Sequence, residues 1–484
     1  VRRAYYLLVL AALAYCVFIR GALDEQALTS NSWLTSHTLL TLKIFEAEGA
    51  LKHAFAPVCS FSAAPGDAFI PTLYGLMGAN GANYYVSYPP LGYLVPYAVA
   101  TVLGLSPSAV LLTIINIGAQ LVTALCLFGI VWTVLAERRE EERFAGAFLA
   151  LCVYLFSASP LHLHTFDYFV DAAAQPLFAA SIFACVRLRP DSSTWAIATV
   201  GLLCMLLTLT EWIGVFFAMA VAIAAAVRLV PVRAAIAAGV GAMLAVAIMV
   251  LQYAQIDGLM PLLHHLAEKY HFRSGLDSRS EGGMTVYELR YWKSIVHHYW
   301  AGYGTVLVLG TCLTLGAIAL RRSLKLPRLH LLALGLAALP VLAHHVVFFN
   351  FTTRHAFSAN VAGILLALIS GLAFASVLRH RPAWIALPVA LVLSIGLAAM
   401  AEPPRPRRDS PLRIDAQWIG REAQPDESIC ILKRPYVDPR MLVYARRNIA
   451  PCKTLKKTRS CTVRRRVTGP RGAAFLLLDC PAVK

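Results

Sequence analysis

Runs of about 20 mainly apolar residues, the length a helix needs to cross a bilayer, recur from the start of this chain to about residue 400. They fall at about residues 4–22, 108–136, 144–160, 172–188, 194–210, 213–229, 234–252, 301–320, 329–349, 356–377 and 383–400. Of the 484 residues, 58% are hydrophobic and 14% charged, whereas soluble domains hold roughly 45–50% apolar and about 25% charged residues. A soluble globular fold is excluded. The first run follows Arg2 and Arg3 as a secretory signal would. It passes straight through its small-x-small site at Ala12–Ala14, however, and so reads as an uncleaved span. From Glu402 onward no span-length run remains, and Arg, Lys, Pro and Asp return. The expected fold is an all-α polytopic membrane bundle of about 11 transmembrane helices over residues 1–400, with outer-face juxtamembrane helices. A small C-terminal α/β extracytoplasmic domain over 401–484 completes it.

The segments joining these runs form two sets that alternate along the chain. One is basic: Arg2 and Arg3, Glu137–Arg143, Arg187–Asp191, Arg228–Arg233, Arg321–Arg328 and Arg379–Arg381. The other comprises SPLHLHTFDYFVD, the turn at Glu211–Trp212, and NFTTRH, with one Arg and no Lys among them. The positive-inside rule assigns the first set to the cytoplasm. Pro89–Leu105 is short, carries Pro96 mid-run and lies between two segments on one side, so it reads as an interfacial or re-entrant helix on the outer face. The expectation is a multi-pass inner (plasma) membrane protein. Its first loop (23–107), a later loop (253–300) and the terminal domain then face the periplasmic or extracytoplasmic side.

That placement bears on the tail. Cys430, Cys452, Cys461 and Cys480 form an even set in a small domain, which means disulfides in an oxidising compartment and unpaired thiols in the cytosol. Much of the formal charge of +17 sits in runs such as KTLKKTRSCTVRRR. These are either a solvated basic surface or a contact with anionic headgroups or an acidic glycan. An outward tail argues against nucleic acid as a partner.

Histidine marks the same side. Of 14 His, only His330 and His380 fall on the basic, inner side. Ionisable groups near a bilayer are costly unless they face a cavity or a partner, so the others suggest a water-accessible polar site at the outer rim, or simple interfacial preference. The sharpest cluster is HLHTFDYFVDAAAQPLF. In a helix starting near His164, the side chains of His164, Asp167 and Asp171 share a face at i, i+3 and i+7. With His162 they could bind a sugar, a phosphate through a divalent metal, or the proton of an acceptor hydroxyl. Helix capping accounts for one Asp at most.

In the first loop, Asp24 and Glu25 follow the first span, and His37, Thr41 and Glu48 lie on roughly one face of a juxtamembrane helix. Asp24 reads either as a general base or as an interfacial charge ending a span. Arg354 and His355 stand where a late span begins. An Arg at that rim suits a phosphate through its bidentate fork, and the alternative is a snorkelling side chain. Glu211 lies in the tight turn TLTEWIG. The stretch His264, His265, Glu268, Lys269, His271, Arg273 reads as a substrate-contacting surface or lid. No His spacing matches a tetrahedral zinc signature, and the metal requirement is left open: no certain cofactor, with a divalent metal as one option.

The layout resembles the GT-C membrane glycosyltransferases, in the branch containing protein O-mannosyltransferases and the aminoarabinose transferases that modify lipid A. The likeness rests on the long outer loop after the first span and on the segment YPPLGYL at Tyr88–Leu94, similar to the family's PPLYY element. It rests also on Ser159–Leu161 running to Asp171, on the outer Arg354, and on the small terminal domain. It implies a glycosyltransferase that moves a sugar from a polyprenyl-phosphate carrier to an acceptor hydroxyl on a lipid, glycan or protein, on the outer face. It also implies membrane lipids as partners, Tyr88 in the substrate site, and phosphate stabilised by Arg354 with Lys269 or Lys43. The family's first-loop Asp-Glu pair has no counterpart here: the matching place, near Leu34 and Ser36–His37, holds no carboxylate. The base is then Asp24 at a different spacing, His37, Asp167 or Asp171. The alternatives are a polysaccharide ligase or polymerase with a polyprenyl-diphosphate donor, or a non-enzymatic lipid or glycan transporter. A transporter, however, places charges mid-membrane and often repeats its halves, and neither pattern is present.

Overall fold

The computed structural model describes residues 2–20, 33–62, 75–275, 288–320, 327–378, 389–390, 393, 411–424, 427–432, 439–452 and 461–479. Asp24, Glu25, Cys480 and nearly all of the expected span 383–400 lie outside the described residues.

The apolar runs are helices: α1 Arg2–Phe18, α2 Trp33–Glu48, α3 Leu91–Val102, α4 Ala109–Val134, α5 Glu140–Phe156, α6 Ala158–Phe166, α7 Val170–Val186, α8 Thr194–Thr210 and α9 Ile213–Ala226. After these come α10 Val232–Asp257, α11 Leu259–Ser274, α12 Leu289–Leu320, α13 Arg328–Val347, α14 Phe349–Arg354 and α15 Gly363–Leu378. Among the described residues, five helical stretches are long and apolar enough to cross a membrane, or six if α5 and α6, bent by 53°, count as one. Shorter apolar helices pack among them, and the chain is an integral membrane protein. Local chemistry sets the starts. Ser108 and Ser193 accept hydrogen bonds from the amides of Leu111 and Ala196, capping α4 and α8. At 12 residues, α3 is too short to cross, as expected for a segment that stays on one face.

The interior of the bundle is filled by α5, which is buried along nearly its whole length. It meets α15 through two glycines: a Cβ on Gly146 would stand 2.8 Å from the carbonyl oxygen of Gly371, and one on Gly371 would stand 2.5 Å from that of Gly146. Small residues let the two backbones touch, a common device where lipid offers no hydrophobic drive between helices. Two spans outrun their expected limits. α10 continues to Asp257 and α12 starts at Leu289, so the loop expected over 253–300 is shorter in backbone terms and contains a helix of its own, α11.

The terminal domain pairs α16 Pro411–Glu422 and α17 Pro439–Ala445 with a four-stranded sheet of order β4-β3-β6-β5. The strands are β3 Ser428–Ile431, β4 Ile449–Pro451, β5 Thr462–Thr468 and β6 Ala474–Asp479; the first loop adds a two-stranded pair, β1 Leu76–Met77 and β2 Asn83–Tyr84. β3 and β4 run parallel, which requires a crossover, and α17 supplies it. Cys430 and Cys452 form a disulfide across these two strands, and Cys461 is also disulfide-bonded. The Cys430–Cys452 bridge closes a loop of 22 residues. Replacing both cysteines by Ser should therefore cost the domain about 3 kcal/mol. Amide hydrogen exchange of β3 and β6 in the full chain reads this, and unchanged protection contradicts it. The domain sits on the first loop: α17 packs on α2, and the Asn448 side chain exchanges two hydrogen bonds with the backbone of Phe61, both 3.0 Å.

Candidate active site

At the end of the bundle that carries the first loop, the segment Tyr85–Pro90 is pinned by three donors. Trp212 Nε1 gives a hydrogen bond to the Ser87 carbonyl at 3.0 Å, Arg273 Nη1 to the same oxygen at 3.2 Å, and the Tyr253 hydroxyl to the Tyr88 carbonyl at 2.7 Å. The neighbouring α3 is held against α7, because a Cβ on Gly92 would stand 2.7 Å from Val170. Thr35 stitches in α2: its hydroxyl donates to the Phe166 carbonyl and accepts from the Tyr168 amide, each at 2.9 Å. α2, the YPPLGYL segment and the α6–α7 turn thus form one rigid frame.

Inside the frame lies a buried polar chamber walled by aromatic rings. The His37 ring stands 4.5 Å from Tyr85 and 5.0 Å from Trp33; Tyr88 meets Phe169 at 5.1 Å. Asp171, in the first turn of α7, is 0% exposed, and among the described residues neither carboxylate oxygen accepts a hydrogen bond from another residue. Its titratable neighbours include Glu211, His344 and Arg273. Glu211, in the α8–α9 turn, is 1% exposed, caps the Ile213 amide and lies 3.5 Å from His344 Nε2. Arg273, 9% exposed, lays its guanidinium over the Tyr88 ring at 4.3 Å and the Phe351 ring at 5.3 Å, and bonds to the Tyr85 side chain. Besides Asp171, both nitrogens of His37, the hydroxyls of Thr38, Ser87, Tyr88 and Tyr93, and Nδ1 of His344 are buried without a hydrogen-bond partner among the described residues. Each such group costs roughly 1–3 kcal/mol when left unpaired.

One face of α11 extends this chamber with two cations, Lys269 and Arg273, and a neutral imidazole, His265. His265, Lys269 and Arg273 follow at i, i+4 and i+8. Burial, then Arg273, lowers the Lys269 ammonium to about 8, and burial, then Lys269, lowers His265 to about 4. Burial also holds His37 down to about 3, so its ring is neutral. A neutral imidazole with two free nitrogens is suited to hydrogen-bonding a hydroxyl rather than to holding a proton.

Several expected members are elsewhere. His164, Asp167 and Asp171 do not share a helix face, because α6 ends at Phe166 and Phe169 is extended before α7 starts. His164 turns into the bundle, where Nδ1 meets Asn116 and Nε2 meets the Tyr154 hydroxyl at 3.1 Å. The same buried network holds Arg20, bonded to Gln120, to Cys16 and to Thr165. His164 is a structural residue. Asp167 pairs with His162 at 3.5 Å on the exposed edge of the turn, away from the chamber. Lys43 is tied to Glu46 at 2.9 Å and Ser106 at 2.8 Å, bracing α2 against the end of α3. Arg354 and His355 are exposed, the former over the Phe272 ring at 5.5 Å, so they stand at the rim and Arg273 is the buried cation. Tyr88, Glu211 and Asp171 line the chamber, and Lys269 borders it. Among the described residues no three His, Cys, Asp or Glu side chains converge as a metal site.

No family model matches the sequence, and no curated protein matches it. Solved structures do match in fold. ArnT from Cupriavidus metallidurans superposes over 98% of this chain and 97% of its own, at 13% identity and TM-score 0.53 in the apo state. Its form bound to undecaprenyl phosphate gives 12% identity and 0.56 over the same shares. The Archaeoglobus fulgidus oligosaccharyltransferase in the apo form covers 87% of this chain at 12% identity and TM-score 0.51, but this chain spans 58% of its length. This chain therefore shares its fold with ArnT over nearly the whole length of both chains.

Proposed function

We propose that the chain is a glycosyltransferase that moves a sugar from a polyprenyl-phosphate carrier to an acceptor hydroxyl, in the chamber between α2, α7 and α11 on the extracytoplasmic face. One observation carries the reading: the only carboxylate in the chamber without a partner among the described residues, Asp171, faces a buried guanidinium across a wall of aromatic rings. Aromatic faces suit the apolar faces of a sugar ring, and the orphaned hydroxyls and imidazole suit its hydroxyl groups. Asp171 takes the proton of the acceptor hydroxyl as its oxygen bonds to the anomeric carbon. The carbon–oxygen bond to phosphate breaks with its electron pair, and the phosphate leaves against Arg273, with Lys269 beside it. Glu211, engaged by His344 and the Ile213 amide, keeps that side of the chamber fixed. For the carrier's hydrocarbon, an open apolar groove of about 410 Å³ lies on the outer side of α9 and α10, lined by Val215, Ala242, Met243, Val246, Ala247 and Val250. The ArnT structure bound to undecaprenyl phosphate, a molecule of the carrier class, is consistent with that reading.

The test is transfer by the purified chain in lipid vesicles, offered a panel of polyprenyl-phosphate sugars and hydroxyl acceptors; turnover of none of them overturns the proposal. A pH profile adds a sign. Lys269 loses its charge as the pH rises through about 8, so phosphate affinity should weaken above that point. Lys269→Arg, which stays protonated, should remove this alkaline limb, and an unchanged limb would separate Lys269 from the phosphate.

A further inference from the structure

A helix that breaks inside a membrane bundle leaves carbonyls that the protein itself must satisfy. α5 stops at Phe156, Ser157 is extended, and α6 sets off at 53° to it. The Leu155 carbonyl, cut off from its helical partner by the break, accepts instead from Gln120 Nε2 on α4 at 3.2 Å. The Gln120 amide makes that donation only while its oxygen points the other way, and a buried cation holds it so. The Arg20 guanidinium, two residues past the end of α1, donates to Gln120 Oε1. Arg20 is 6% exposed, and the proposed reaction does not use it. Its other described partners are neutral: the carbonyl and sulfur of Cys16, one turn back, and the Thr165 hydroxyl at 2.9 Å.

The remaining bonds follow from these. Thr165 Oγ1 accepts from Arg20, so its own hydrogen goes to the Leu161 carbonyl at 2.5 Å. Asn116 of α4 donates to the Leu163 carbonyl at 3.0 Å, and its two oxygens take the Nδ1 hydrogen of His164. His164 Nε2 is then left to accept from the Tyr154 hydroxyl. A buried network satisfied in this way holds one geometry. It ends where the site begins: the Phe166 carbonyl and the Tyr168 amide both bond to the Thr35 hydroxyl, and Asp171 stands three residues further on. With nine residues α6 is too short to sustain itself, so its place depends on bonds from outside. We infer that Arg20 is a positioning residue for the proposed reaction: from the end of α1 it fixes the break and α6, and through them the turn that carries Asp171. The inference rests on the role proposed for Asp171, and Arg20 acts through α6 rather than on the reacting groups.

The experiment uses the full chain in vesicles, with the variants Arg20→Lys, Thr165→Val and Thr165→Ser. Thr165→Val keeps the shape of the side chain and removes the acceptor of Arg20 Nε, so the test survives if a change at Arg20 itself prevents folding. Two quantities are read: amide hydrogen exchange over Leu163–Ala173, and transfer at varied donor concentration. Arg20→Lys and Thr165→Val should speed exchange over that segment. They should also lower the rate at saturating donor on the order of 10-fold, within the about 10²-fold that a misplacement of about 1 Å can cost. The donor KM should hold, because Lys269 and Arg273 stand on α11. Thr165→Ser keeps the hydroxyl and should match the unaltered chain in both quantities. Unchanged exchange in Arg20→Lys and Thr165→Val overturns the inference, and so does faster exchange with an unchanged transfer rate. If the unaltered chain transfers no sugar, the proposed function fails separately, and exchange alone decides whether Arg20 holds the turn.

Discussion

Asp171→Asn should lower the rate of sugar transfer by about 10²–10⁴-fold, the usual worth of a positioned general base, while leaving donor binding nearly intact. The substitution keeps the shape of the side chain and removes its ability to take a proton. The chamber also predicts an uncommon companion result. The carboxylate is fully buried, and no other described residue donates a hydrogen bond to it, so neutralising it relieves a desolvation penalty. The folded chain should therefore be at least as resistant to thermal unfolding with Asn as with Asp. A catalytic residue whose removal stabilises is hard to mimic by damage to the fold. Rate constants at saturating donor, measured beside the unfolding temperature, decide the matter; full activity in the Asn variant contradicts the assignment.

The second large effect belongs to Arg273. Arg273→Ala should cost about 10²–10³-fold in transfer, as removal of a group that meets developing charge does in other enzymes. Arg273→Lys should recover part of this, since a lysine keeps the charge and loses the planar stacking over Tyr88 and Phe351. The exposed Arg354 gives the contrast: Arg354→Ala should change transfer far less, because a charge at a wet rim is screened. An equal loss in both variants would return the phosphate to the rim, where the sequence alone puts it.

The contrast between Arg354 and Arg273 bears on which parts of the candidate site are readable in the sequence. Asp171 and Glu211 are legible because each is a carboxylate in a short turn between apolar runs, where a charge without a purpose is too costly to keep. Tyr88 is legible through its segment. Arg273 is not singled out, because its burial depends on α11 folding back so that the guanidinium lands on Tyr88 and Phe351, a contact no local pattern encodes. What could have raised it is its spacing of four from Lys269 and eight from His265. His344 is hidden differently. His344 and His345 are adjacent, and only the rotation of α13 decides that the first meets Glu211 while the second bonds to Tyr299 at 2.7 Å.

The misplacement of His164 has a clear physical cause. A continuous helix would put it beside Asp171, but the Tyr168 amide bonds to Thr35 and its hydroxyl to the Gly92 carbonyl at 2.8 Å. These contacts from the first loop compete with the helix and break it at Asp167–Phe169. Periodicity is a local property, and here a distant segment overrules it. The spans are easier to read, since length and apolarity alone specify them. The alternation of charged loops keeps the segment Pro89–Leu105 on one face, and the helix within it, Leu91–Val102, has 12 residues and is too short to cross.

The central claim is that a lipid-carried sugar reacts in the Asp171–Arg273 chamber. Single-turnover transfer from labelled polyprenyl-phosphate sugars, by the purified full chain and by its Asp171→Asn variant in the same vesicles, tests it most directly. The predicted result is that label moves to the acceptor with the unaltered chain, while the variant binds the donor with similar affinity and leaves the label on the carrier. Equal transfer by both chains would contradict the account.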